Sequence, residues 1–160
     1  MGKKSTRENK NIYQISRETA GFTREEAAEA LKCISESRIE KIEYETSRPY
    51  PDEVLAMANC YSNPALCNYY CSHECPIGQE YVPEIQIKDL SQITLEMLAN
   101  INALSKEKDR LVEITVDGNI SPDEMKDFHR IEEVLDRMSI TIDSLKLWVD
   151  NAMASGNMKN

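Results

Sequence analysis

The stretch TREEAAEALKCISESRIEKIE, residues 23–43, decides how the first third of the chain folds. Thr23 stands three residues before Glu26, which is the spacing of a capping box at the start of a helix. Ser35 is the next residue whose side chain is suited to capping a helix. The stretch therefore predicts two short helices joined by a tight turn, 23–31 and 36–43.

Further helices are predicted on both sides of this pair. A short apolar pattern over residues 11–20 ends before Gly21, which is typical of a helix stop. After Pro49 and Pro51 the segments PDEVLAMANCY and NPALCNYYCSHECP each predict a helix, the second closed before Pro76. We expect a helical domain of four to five helices over residues 11–78, whose last helix carries cysteines, preceded by a flexible basic arm over residues 1–10.

The second half of the chain has a simpler pattern. Two prolines and a glycine in PIGQEYVPEIQIKDL predict a linker over residues 79–87. Beyond it, apolar residues recur every three or four positions in two long runs with a turn between them, which predicts a helical hairpin with coiled-coil character over residues 88–155. The two stripes are Leu90, Ile93, Met97, Ile101, Leu104 and Leu111, and Phe128, Ile131, Leu135, Met138, Ile142, Leu145 and Val149. A spare apolar edge on such a hairpin favours a partner, most simply a second copy of the chain. The fold class expected for the whole chain is all-α.

Charge is unevenly distributed along the 160 residues. The net charge is −9, with a balance of +1 over residues 1–50 and −10 over residues 51–160. A phosphate-binding surface would therefore belong to the first third, and the acidic remainder would weaken non-specific binding to nucleic acid. No apolar run is long enough for a membrane span, and no apolar stretch follows the basic opening MGKKSTRENK, so we expect neither membrane association nor a signal peptide, and a cytoplasmic location.

The two helices over residues 23–43 follow the helix-turn-helix plan, in which the second helix enters the major groove of DNA. Residues 11–58 as a whole resemble the XRE-type helix-turn-helix family, the lambda Cro and repressor class of bacterial and phage regulators. The matching segments are AGFTREEAAEAL, ISESRIEKIE and RPYPDEVLAMA, in the order and spacing of the family. The resemblance covers about a third of the chain and implies a DNA-binding domain with a recognition helix over residues 36–43.

The resemblance also implies roles for particular residues. Thr23 would cap the second helix, and Arg24 would contact the DNA backbone or a base edge. At the start of the recognition helix, Arg38 could pair with guanine and Glu36 could accept from cytosine. The residues implied to contact DNA are Thr23, Arg24, Ser35, Glu36, Ser37, Arg38 and Lys41. By their charge alone, Arg48 and the arm residues Lys3, Lys4, Arg7 and Lys10 are further candidates for phosphate contacts. The residues implied to pack inside the domain are Ala27, Ala28, Leu31, Ile34, Ile39 and Ile42.

The sequence departs from the family at two turns. The family usually has a glycine between the two helices, where this chain reads LKCIS, and another after the recognition helix, where this chain has Glu45. Both places often require a positive φ, which costs a residue other than glycine about 1 kcal/mol. These substitutions leave open the geometry of the turn and the docking angle of the recognition helix.

Four of the five cysteines, Cys60, Cys67, Cys71 and Cys75, lie within sixteen residues. Three thiolates along one straight helix do not converge on the tetrahedron that Zn²⁺ prefers. The interpretation favoured here is packing of small apolar side chains, and metal or iron–sulfur binding is the weaker alternative. A disulfide framework is not expected in an unsecreted chain with an odd number of cysteines.

Together these patterns predict a sequence-specific DNA-binding transcriptional regulator that acts as a homodimer on double-stranded DNA. The alternative is a protein–protein adaptor that keeps the helix-turn-helix shape without binding DNA, with a partner held by the C-terminal hairpin. The sequence contains no nucleophile–base set, no Gly-rich phosphate loop and no HExxH spacing, so neither enzymatic activity nor a cofactor is expected.

Overall fold

The structure is a computed structural model that describes residues 9–157, and this part of the chain has eight helices and no strand. The helices are α1 Ile12–Thr19, α2 Arg24–Leu31, α3 Glu36–Glu43, α4 Pro51–Cys60, α5 Ala65–His73, α6 Pro76–Tyr81, α7 Leu90–Thr115 and α8 Met125–Ala154. The all-α class predicted from the sequence is confirmed for the described residues. The basic arm predicted over residues 1–10 lies outside them, apart from residues 9 and 10; Lys10 pairs with Glu18 at 2.6 Å.

The helices α2 and α3 each begin directly after the residue that was predicted to cap them. The Thr23 hydroxyl accepts from the backbone N–H of Glu26, and the Glu26 carboxylate accepts from the backbone N–H of Thr23 at 2.7 Å. The Ser35 hydroxyl accepts from the backbone N–H of Arg38 at 3.3 Å. These bonds satisfy amide groups that the first turn of a helix leaves without a partner.

Two turns around α3 hold residues other than glycine at positive φ. Lys32, directly after α2, has φ 59°, and Glu45, shortly after α3, has φ 59°. Both fall where the sequence lacks the glycines of the resembling family. The left-handed region is strained for such residues, so each turn costs about 1 kcal/mol that the packing of the helices must offset.

Apolar side chains from α1 to α5 form one core. Five of the six residues predicted to pack inside are buried, and the sixth, Ala28, is partly buried and packs against them. The buried members of the core are Tyr13, Ala27, Leu31, Ile34, Ile39, Ile42, Val54, Met57, Ala58, Tyr61 and Leu66. This core sets the position of α3 relative to α1, α2 and α4.

The described chain divides into two compact units. The first runs to Glu84 and includes the chain from Val149 onward, and the second is Ile85–Trp148. The boundary falls inside the segment predicted as a linker, 79–87, but that prediction missed α6, which continues as far as Tyr81. This short helix forms because Cys75 caps it through Sγ and Pro76 occupies its first position.

In the second unit, α7 and α8 contact each other in antiparallel order. Asn100 of α7 donates to the Thr141 hydroxyl of α8 at 2.8 Å, and Glu107 of α7 accepts from Arg130 of α8 at 2.9 Å. Ile131 of the predicted stripe of α8 is buried, but at two other places the inward residue stands one position before the predicted one. Leu135 and Ile142 are 43% and 40% exposed, whereas their neighbours Val134 and Thr141 are buried.

Among residues 9–157, no helix combines the length and the apolar character needed to cross a membrane.

Candidate nucleic-acid interface

The side of α3 that faces away from the core is polar. Glu36, Glu40 and Tyr44 follow one another at intervals of four residues, and Ser37 and Lys41 stand beside them with the same spacing, so all five share one side of the helix. All five are exposed. We call this set, Glu36, Ser37, Glu40, Lys41 and Tyr44, the outward face of α3.

A buried ion pair ties the opposite side of α3 to α1. Arg17 donates to both carboxylate oxygens of Glu43, from Nε at 2.5 Å and from Nη2 at 3.0 Å, and its Nη1 donates to the carbonyl of Phe22 at 2.6 Å. The side chains of Arg17 and Glu43 are 6% and 1% exposed. Paired charges at this depth require close geometry, so the interaction fixes the orientation of α3 on the domain.

Arg38, predicted to pair with guanine, is bonded in the structure to α4 and the loop before it. Its Nε and Nη2 donate to the two oxygens of Glu53 at 2.8 and 2.7 Å, Nη1 donates to the Ser47 hydroxyl at 2.6 Å, and Nη2 also donates to the Arg48 carbonyl at 2.9 Å. The guanidinium also lies 5.1 Å from the ring centre of Tyr50. Four of its five N–H groups are therefore used within the protein, and the bond from Arg38 lowers the pKa of the Glu53 carboxyl.

Arg24 is also turned toward the protein. Its Nε donates to Glu43 at 2.7 Å, its Nη1 reaches Glu40 at 3.4 Å, and its guanidinium lies 4.9 Å from the ring centre of Tyr44. The side chain keeps 21% exposure, so one edge of the guanidinium faces solvent beside the outward face. Glu43 therefore points back into the protein, while Glu40 remains half exposed.

The remaining predicted contact residues are distributed around the start of α3. Ser35 and Ser37 are exposed, and their hydroxyls lie 3.2 Å apart. Lys41 and Arg48 are exposed and have no ion pair within the described part of the chain. Thr23 caps α2 and is half-buried. The structure thus brings Ser35, Glu36, Ser37 and Lys41 to one surface and directs Arg38 away from it.

The partners of Arg38 were not identified from the sequence. Glu53 lies fifteen residues further along the chain, and only the position of α4 brings its carboxylate to Arg38. One local signal was available: Glu53 stands three residues after Tyr50 and accepts from its backbone N–H at 2.7 Å, which marks it as the first-turn acid of a helix.

The cysteines of α5 and its neighbours are free and half-buried. Burial raises the pKa of the Cys60, Cys67 and Cys71 thiols. A smaller fraction of these side chains is therefore in the thiolate form that binds a metal. Within residues 9–157 no three side chains of His, Cys, Asp or Glu are grouped in a way that could hold a metal ion.

The chain was compared with models of known protein families, with characterised proteins and with solved structures, and it matched none of them.

Proposed function

We propose that this protein is a sequence-specific DNA-binding transcriptional regulator of the XRE type, in which α2, the turn and α3 form the helix-turn-helix and α3 lies in the major groove. The observation that carries the proposal is the outward face of α3, a short polar surface held rigidly by the pair Arg17–Glu43 and by the apolar core. A recognition helix needs this combination, because base edges are discriminated only by side chains in a fixed position.

In this arrangement Glu36, Ser37 and Lys41 reach the base edges, and Arg38 acts as a brace between α3 and α4. Glu36 accepts from cytosine N4, and Ser37 pairs with any base that offers a donor or acceptor. Thr23, Arg24, Ser35 and Arg48 are proposed to contact the strand backbone.

The helices α7 and α8 are proposed to form a hairpin of coiled-coil character that joins two copies of the chain. Ile101 directly follows the inward Asn100, and Ile142 directly follows the inward Thr141. Each step of one residue turns a right-handed helix by about 100°. Because α7 and α8 run in opposite directions, this step from the inward position brings Ile101 and Ile142 to the same side of the helix pair and to the same level. Leu135 follows the buried Val134 and extends the same edge, which we call the apolar edge. A dimer would place two recognition helices on successive turns of DNA.

A protein–protein adaptor is the second candidate, and one observation favours it. The outward face carries Glu36 and Glu40 against a single lysine, while Arg38 is used within the protein. Carboxylates near phosphates weaken DNA binding and would suit a basic protein partner instead.

Selection of duplexes from a random library separates the two candidates. We expect the wild type to enrich one sequence. Glu36→Gln should reduce the preference at one base pair of that sequence and weaken binding to it by about 1–3 kcal/mol. Glu40→Gln should strengthen binding to every duplex. Glu133→Gln, on the exposed surface of α8, is the matched control and should change nothing. Failure of the wild type to enrich any sequence would exclude the DNA-binding function and leave the adaptor.

A further inference from the structure

A cleft of about 290 Å³ opens in the first unit, on the side of α3 that is turned from its outward face. Its walls come from the start of α1, the end of α3 with the loop that follows, and α5. The cleft is lined by Asn11, Tyr13, Ile42, Glu45, Ser47, Arg48, Pro49, Tyr69 and Glu74. Its volume is at the lower end of the roughly 300–1,000 Å³ of small-molecule sites, which suits a ligand no larger than an amino acid.

Charges of both signs line the cleft without pairing with each other. Within residues 9–157 no ion pair joins Arg48, Glu45 or Glu74 to any side chain. Among the described residues, Glu74 accepts one side-chain hydrogen bond, from the Tyr13 hydroxyl to Oε1 at 2.8 Å, and no donor of that part of the chain reaches Oε2. Unpaired charges that share a cavity are suited to a ligand that carries both complementary charges.

Glu45 and Glu74 line the same cleft as Tyr69. Burial raises the pKa of the Tyr69 hydroxyl, and the charges of Glu74, Glu45 and Glu84 raise it further. The ring of Tyr69 stands edge-on to Tyr13, with centroids 6.2 Å apart. His73 stacks on the ring of Tyr69, with centroids 4.5 Å apart, so an ammonium group in the cleft would be held by the carboxylates and not by a ring face.

We propose that this cleft binds a free amino acid, whose ammonium group lies between Glu45 and Glu74 beside Tyr69 and whose carboxylate pairs with Arg48. The Arg48 carbonyl and the Ser47 hydroxyl, which hold Arg38, belong to the same loop, so the ligand contacts the segment that braces α3. The inference does not depend on DNA binding, because the ligand is titrated in the absence of DNA; Arg48 is the one cleft residue that is also proposed to contact the DNA backbone.

Calorimetric titration of the full chain with each standard L-amino acid at millimolar concentration tests the proposal in the absence of DNA. We expect saturable binding of at least one of them, and at least about tenfold weaker binding of the corresponding amine without its carboxylate and of the corresponding acid without its amine, because each analogue loses one charge pair.

Two substitutions locate the ligand. Glu74→Gln still offers Tyr13 an acceptor, and Arg48→Gln changes an exposed side chain, so both variants should stay folded and bind the amino acid about tenfold more weakly or worse. Glu25→Gln, an exposed carboxylate on α2, is the control and should bind as the wild type does. The proposal is overturned if no amino acid binds saturably, if the two analogues bind as well as the amino acid, or if neither Glu74→Gln nor Arg48→Gln weakens binding.

Discussion

Arg38 shows how one contact changes the interpretation of a surface. A guanidinium at the start of a recognition helix suggests a reader of guanine, but in the structure it bridges α3 to Glu53, Ser47 and the Arg48 carbonyl. The planar fork of arginine meets a carboxylate through two parallel bonds, which makes this pair stronger than a single lysine contact. Arg38 therefore contributes more directly to the position of α3 than to any sequence specificity of this helix.

This role predicts a pH-dependent stability. Glu53→Gln should lower the free energy of unfolding of the first unit by about 1–2 kcal/mol at neutral pH, since the charged pair is only partly exposed. The bond from Arg38 lowers the folded-state pKa of Glu53, so this contribution is present above the unfolded-state pKa and is lost as the pH falls through the folded-state value. The difference between wild type and variant should therefore shrink below about pH 4.

Urea unfolding at several pH values provides the measurement. All seven tyrosines lie in the first unit and the single tryptophan lies in the second, so the near-ultraviolet signals report the two units separately. Asp52→Asn, an exposed neighbour in the same turn, should change the stability by no more than about 0.5 kcal/mol. Equal stabilities of wild type and Glu53→Gln at neutral pH would show that the pair does not brace α3.

The individual helices differ in how far the sequence predicts them. The starts of α2 and α3 follow from Thr23 and Ser35, because a cap is a local interaction within three residues. The pairing of Arg38 with Glu53 depends on where α4 packs, so no local sequence pattern predicts it. In α8, the apolar stripe predicts a helix correctly and includes the buried Ile131, but it misses the inward positions of Val134 and of polar Thr141, which faces Asn100. Apolar residues mark a helix face only where the partner helix offers apolar surface as well.

The short helix α6 depends on a close approach to α5. A Cβ atom on Gly78 would lie 2.1 Å from the carbonyl oxygen of Cys71, which is backbone and cannot move aside alone. Gly78→Ala should therefore push α6 from α5 and destabilise the first unit by about 1–3 kcal/mol. Thermal unfolding followed by the tyrosine signal measures this effect.

Ile77→Ala is the matched control for this prediction. Its side chain is 72% exposed on the same helix, so its removal should cost no more than about 0.5 kcal/mol. If Gly78→Ala unfolds at the same temperature as Ile77→Ala, the close packing of α6 on α5 does not stabilise the protein.

At the scale of the whole molecule, the apolar edge predicts self-association. Leu135→Gln combined with Ile142→Gln should convert a dimer to a monomer in sedimentation equilibrium at tens of micromolar, because the dimer would otherwise bury this edge. Both side chains are about two-fifths exposed in the single chain, so the substitutions should leave each copy folded.

Leu95→Gln controls for a general loss of apolar surface. Leu95 is 69% exposed but stands two positions after the buried Ile93, which turns it away from the apolar edge. The Leu95→Gln variant should therefore remain a dimer. A monomeric wild type, or dissociation of Leu95→Gln to the same degree, would argue against the dimer proposed here.

The salt dependence of DNA affinity is the most direct measurement of the central claim that α3 binds DNA. The logarithm of the association constant of the wild type for its selected duplex should fall linearly with the logarithm of the salt concentration, because bound cations are released from the phosphates. Lys41 is exposed and unpaired within the described chain. If the Lys41 side chain contacts a phosphate, Lys41→Ala should weaken binding and reduce the slope by about one unit. If it contacts a base edge, Lys41→Ala should reduce the sequence preference at one base pair and leave the slope unchanged. Lys126→Ala, on the exposed surface of α8, should do neither. Binding that does not change with salt, or a Lys41→Ala variant that cannot be distinguished from Lys126→Ala in affinity, slope and sequence preference, would contradict the account.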